Sequence, residues 1–183
     1  MHLLGEGFVL DIFRMGELIA PSDVEKRIFR MCMQDEARHV AFGRLALRDY
    51  YAQLTPAELA DREEFVVEGC YLMRSRFIAR VWERLGFDVE ECVEFTERSP
   101  VQLAFRQFLF SRIVPCVKDI GLWGPKVREA YVDLGVIAAA DSDLDALMSA
   151  DEDIADRLER AHAAEFAARK QEVDAAVSSG AEG

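Results

Sequence analysis

Basic residues are in deficit. Lys plus Arg total 22 against 34 Asp plus Glu in 183 residues, a formal charge of −12, and no basic run offsets it. Such a chain is a poor match to a phosphate backbone, so nucleic acid is not an expected partner. Glycine and proline are also scarce, at 11 and 5, which is too few turn formers for a fold of many short strands. No run approaches the roughly 18 uncharged apolar residues of a spanning helix, so no membrane segment is expected. The opening residues, Met1-His2-Leu3-Leu4-Gly5-Glu6, hold neither a basic stretch nor a long apolar one, and no secretory leader is expected there. Cys32, Cys70, Cys92 and Cys116 are widely spaced, with no Cys-x-x-Cys pair. They read as reduced, mostly buried thiols of a cytoplasmic protein, and not as a disulfide frame or a zinc site.

What is present is helix-forming and apolar. Hydrophobic residues make up 51% and charged residues 31%, enough to pack the core of one domain. The helix starts are well marked. Ser22-Asp23-Val24-Glu25 and Thr55-Pro56-Ala57-Glu58 are capping boxes, the second with proline at the first helical position, where its missing N–H costs nothing. Asp88 and Ser99-Pro100 mark two further starts, and Gly86 ends the segment before Asp88. These signals predict helices over about 2–18, 23–53, 56–85, 89–97, 100–119, 125–138 and 150–177, with Pro115 kinking or ending the fifth. The fold class is therefore all-α. Residues 141–183 hold 12 acids and 4 bases, and this bias predicts a peripheral acidic helix with a frayed end.

Histidine is limited to His2, His39 and His162. His39 lies in Asp35-Glu36-Ala37-Arg38-His39, inside the long second helix. Glu36 and His39 stand at i and i+3, so both leave one helical face. A carboxylate can bridge two hard cations while an imidazole gives one of them a neutral nitrogen, which is the logic of Glu-x-x-His in di-iron and di-manganese bundles. The motif alone is common by chance, and Glu6 strengthens it. Glu6 lies 15 residues before Pro21 and Glu36 lies 15 after it. Two antiparallel helices hinged at Pro21 bring both carboxylates to one depth, about 22 Å from the turn at 1.5 Å per residue. Phe8, Leu10, Ile12, Phe13, Ile28, Phe29, Met31, Met33, Val40, Phe42 and Leu45 make the two helices apolar around much of their circumference, which predicts burial. A buried run of charges must be satisfied, and a metal ion would do so for Glu36. Asp35 could hold a histidine N–H, and Arg38 could balance the carboxylate charge.

Glu6 followed by Asp35-Glu36-Ala37-Arg38-His39 resembles the half-site of carboxylate-bridged di-iron proteins, such as the ribonucleotide reductase small subunit and the bacterial multicomponent monooxygenases. The fuller string Asp-Glu-Ala-Arg-His-Val-Ala-Phe-Gly at 35–43, with Gly-Glu-Gly-Phe at 5–8, resembles bacterial ferritin-like domain proteins. The resemblance covers about residues 1–52. It implies a ferritin-like helical bundle, partial, over 1–140, with additional C-terminal helices. It also implies Glu6, Glu36 and His39 as metal ligands, with Asp35 and Arg38 supporting them. The implied activity is a non-haem di-iron oxidoreductase or oxygenase that uses O₂ on a small organic substrate. Manganese is an alternative metal, and a reductase is an implied electron donor. In amine N-oxygenases of this superfamily a histidine stands four residues before the ligand Glu. Cys32 occupies that position here, which speaks against that subgroup.

Such centres use two half-sites, and one is evident. A helix pair preceding this sequence, a second copy across a two-fold axis, or Glu159-Arg160-Ala161-His162 are the candidate sources of the other. Residue 158 is Leu where the first motif has Asp. The non-catalytic readings are an iron-handling protein without an organic substrate and a metal-free helical interaction module. His2 reads as terminal and inert, His162 and Glu68 as solvated. The aromatics at helical spacing read mostly as core, and Phe105–Phe110 as either a channel lining or a dimer face.

Overall fold

A computed structural model describes residues 2–180, with all their side chains except those of residues 2, 3, 75–78, 155, 158 and 176–180. Among the described residues every regular element is helical. The elements are α1 (His2–Ile19), α2 (Asp23–Tyr51), α3 (Pro56–Leu85), α4 (Val89–Glu97), α5 (Pro100–Leu109), α6 (Ile113–Asp119), α7 (Pro125–Asp133), a 3₁₀ turn (Ile137–Asp141) and α8 (Leu144–Gly180). The chain is an all-α helical bundle, and among the described residues no helix is long and apolar enough to cross a membrane.

The starts of α2 and α3 follow from their capping boxes. The Ser22 hydroxyl accepts from the Glu25 N–H while the Glu25 carboxylate accepts from the Ser22 N–H, and Thr55 and Glu58 repeat the arrangement. Asp88 caps α4 through the Glu91 N–H at 3.0 Å. Ser99 precedes α5 without a side-chain cap bond, and Pro100 opens that helix. Each side-chain cap contributes about 1 kcal/mol.

The expected single helix over 100–119 is two helices. The chain turns at Phe110–Arg112 and restarts at Ile113. Pro115 therefore falls in the first turn of α6, where its missing N–H is one that no helix would bond. The helix expected over 125–138 ends at Asp133, because Gly135 takes a left-handed φ of 71° that disfavours any residue with a Cβ. The final helix begins at Leu144 instead of about 150, and the Asp143 carboxylate accepts from the Ala146 N–H at 2.9 Å.

α1 and α2 form an antiparallel hairpin, and α8 packs along α2. Gly16 permits the close approach of the two arms. A Cβ there would lie 2.6 Å from the Phe29 ring, so any larger residue would push α1 off α2. The hairpin adds Leu10 and Val40 to the core, α3 adds Val66 and Cys70, and the short helices supply the densest part. Phe110, Ile113, Val114, Val117, Leu122, Val127, Tyr131 and Leu134 are all essentially inaccessible. At roughly 1.5–3 kcal/mol per buried large apolar side chain, residues 109–136 anchor the fold, and the hairpin docks against them. All four cysteines are free thiols; Cys70 and Cys116 are buried, and burial pushes both up to about 12.

Candidate metal centre

The hairpin brings Glu6, Glu36 and His39 together. One ligand atom from each lies within 4.8 Å of the other two. The equal 15-residue distance of the two glutamates from Pro21 is thus realised as a shared depth. The His39 Nδ1 stands 3.4 Å from a Glu36 oxygen, the proximity expected of an i, i+3 pair on one helical face. Among the described residues this is the one group of three or more such side chains within reach of a common ion.

The donor set fits a divalent cation. With metal–donor bonds of about 2.0–2.2 Å, two donors on one ion stand up to roughly 4.3 Å apart, and small side-chain rotations close the remaining gap. Two carboxylates and a neutral imidazole suit iron or manganese. They leave the cluster with two negative charges when both acids are ionised.

The setting is more open than the apolar flanks of α2 predict. Met33, Ala37 and Val40 are buried, but Ile28, Met31, Phe42 and Leu45 are exposed, Phe42 to 75%. Glu36 is 21% exposed and His39 59%. Only one side of α2 meets the core and α8, so residues on its far side stay at the surface whatever their polarity. Asp35 is exposed. Arg38 lies away from the carboxylates it was expected to balance. Its guanidinium donates to Glu159 on α8 at 2.7 Å. That pairing also occupies Glu159, the first residue of the second Glu-x-x-His; His162 is exposed. His2, Phe77 and Leu158 fall outside the described side chains.

An apolar cavity of about 470 Å³ lies between α1, α3 and α5, and none of Glu6, Glu36 and His39 lines it. Val9 and Phe13 line it, three and seven residues after Glu6, so they share the face of α1 that carries the carboxylate. Phe105, Leu109 and Phe110 form its opposite wall, while Phe108 lines a different recess with Leu10 and Met33.

Sequence reasoning missed a second charged cluster, on the other side of α1. Asp11 is completely buried and Asp151 is 8% exposed. Arg112 reaches Asp11 at 3.1 Å and both oxygens of Asp151 at 2.9 and 3.1 Å. Arg14 bonds Asp11 at 3.2 Å and also bonds Asp151. Burial pushes the Asp11 carboxyl up to about 7, against the pull of Arg112. The available signal was an aspartate in the apolar run Phe8-Val9-Leu10-Asp11-Ile12-Phe13. Arg14 stands three residues on along the same helix, but Arg112 and Asp151 come from elements far away in sequence and could not be named.

No family model, curated protein or solved structure matches this chain.

Proposed function

We propose that Glu6, Glu36 and His39 form a half-site for a carboxylate-bridged di-iron centre of ferritin-like type, and that the protein is a non-haem oxidoreductase or oxygenase. The observation that carries this reading is the convergence of three donor atoms, from residues 30 and 33 positions apart in sequence, within 4.8 Å. Glu6 and Glu36 would hold or bridge the metal, and His39 would bind one ion through a neutral nitrogen. Bound iron would supply O₂ activation and oxidising power. The chain itself contributes placement: α1 and α2 hold the carboxylates at one depth, and the cavity beyond Val9 and Phe13 gives an organic substrate a dry wall one helical turn from Glu6. The complementary Glu and Glu-x-x-His come from a second helix pair.

Anaerobic ferrous loading tests the centre. About one tightly held iron per chain is expected for a half-site, and His39→Ala is expected to lose at least about tenfold in affinity. Iron content equal in His39→Ala and wild type removes His39 from the site, and no bound iron in wild type removes the centre. Sedimentation of the loaded protein identifies the second half: a dimer formed only with iron assigns it to another copy. The exposure of His39 favours a second reading, in which iron is taken up and released without an organic substrate. Iron oxidation with no oxidised organic product would select that reading.

A further inference from the structure

The cavity between α1, α3 and α5 is lined by a cation that no acid among the described residues answers. Arg106 of α5 lines it and is only 9% exposed. Its guanidinium donates to the Leu134 carbonyl at 3.3 Å, and no carboxylate among the described residues pairs with it. Buried charges are ordinarily paired, because an unpaired one carries its full desolvation cost. The other arginine in the same cavity shows the ordinary case: Arg74 meets Glu97 and Asp133, both at 3.1 Å. Arg106 also differs from the arginines around Asp11, each of which has a carboxylate. The remaining walls are apolar, formed by Val9, Ile12, Phe13, Met73, Phe105 and Leu109, with Gln102 as a further polar group. The volume of about 470 Å³ falls within the roughly 300–1,000 Å³ of small-molecule sites.

We propose that this cavity binds an apolar monocarboxylate, with its carboxylate on Arg106 and its hydrocarbon body against α1 toward Val9 and Phe13. A guanidinium presents a planar fork that matches a carboxylate through two parallel hydrogen bonds. The apolar walls exclude water and strengthen that pairing. Anchoring at Arg106 lays the hydrocarbon part along the helix that carries Glu6. As a binding site the cavity stands by itself. As the substrate site of an oxidation it rests on the di-iron reading.

Calorimetric titration of the metal-free protein with octanoate, and with octan-1-ol as its neutral counterpart, tests the proposal. Wild type is expected to prefer octanoate by about tenfold or more, the usual scale of a charge-assisted hydrogen bond. Arg106→Met keeps the stem without the charge and is expected to lose that preference while still binding octan-1-ol. Arg106→Lys is expected to retain part of it. Val9→Trp, which fills the cavity and leaves Arg106 in place, is expected to abolish binding of both probes. The proposal is overturned by no octanoate binding in wild type, by equal affinity for the two probes, or by octanoate binding unchanged in Val9→Trp. The last outcome holds even should both Arg106 variants fail to fold. Because these titrations need no iron, loss of the metal reading and loss of this one are separate results. Octanoate bound by a protein that takes no iron retains the cavity and removes the centre, and the reverse outcome removes the cavity alone.

Discussion

Two acid pairs involve α1, and they differ in burial and in the groups that face them. Asp11 and Asp151 face Arg14 and Arg112, so the four charges cancel when both acids are ionised. Glu6 and Glu36 face each other and His39, and the nearest arginine in sequence, Arg38, is engaged with Glu159. The first cluster is sealed among buried side chains and ties α1 to α8 and to the α5–α6 turn. The second is half open, at the edge of the α1–α2 contact, with Glu36 21% and His39 59% exposed. Carboxylates that a fold uses for itself come with their own cations.

The contrast breaks most visibly at Arg112. Replacing it with Met leaves the buried Asp11 and Asp151 with Arg14 as their one remaining arginine partner, and breaking a buried pair from one side typically costs about 3–5 kcal/mol. Urea unfolding of the metal-free protein is the measurement. Glu36→Gln under the same conditions is expected to cost little, since that carboxylate is partly solvated and faces no cation. Equal losses in the two variants would erase the distinction between the clusters.

Acidity sharpens the comparison next. Burial raises the folded-state Asp11 carboxyl from 3.8 to about 7. The unfolded chain therefore releases this proton first as pH rises, and stability falls across that interval. The contribution is fully present below about pH 4 and lost by passage through about pH 7, with a ceiling of roughly 4 kcal/mol. Wild type minus Asp11→Asn, followed by urea unfolding from pH 4.5 to 7.5, isolates the effect, because groups common to both proteins cancel. A difference that grows with pH would show that Arg14 and Arg112 outweigh burial.

The Glu6–Glu36–His39 cluster is expected to respond to an external cation where the arginine cluster does not. Manganous or anaerobic ferrous ion at a hundred times its dissociation constant stabilises a folded site by about 2.7 kcal/mol. Wild type and Asp11→Asn should both gain this in thermal melts, while Glu36→Gln should gain almost none. A gain by Glu36→Gln equal to that of wild type places the bound ion elsewhere.

The two clusters also differ in how far they could be read from residues alone. Glu6 and Glu36 were legible because both lie on one hairpin, whose turn at Pro21 and capping box at Ser22 fix the register by local chemistry. Helix pitch then determines the depth. Arg14, Arg112 and Asp151 sit in three elements joined only by tertiary packing, and no local pattern relates them. The same limit explains α2. Periodicity shows which residues share a face, but Phe42 and Leu45 are exposed because of what does not pack on them, which lies beyond the reach of the helix's own sequence. At Phe110–Arg112 the proline at 115 gave a true signal of interruption that was misplaced by one turn. The chain breaks before the proline, so that its missing N–H falls among those already unbonded.

The smallest expected effect belongs to Arg38, and it decides whether that arginine acts on the Glu6–Glu36–His39 cluster. Arg38 and Glu159 are 55% and 62% exposed, and a pair in that setting contributes about 0–1 kcal/mol. Arg38→Ala should therefore leave the unfolding midpoint in urea nearly unchanged. Its guanidinium is committed to α8, so removing it should also leave ferrous affinity within about threefold of wild type, a difference of roughly 0.7 kcal/mol. An affinity change of about tenfold or more would mean that Arg38 leaves Glu159 for Glu36 when iron binds. The sign would then carry the information. Weaker iron binding in Arg38→Ala would make the arginine a support of the loaded site. Tighter binding would mean that it competes with the ion for the same two charges.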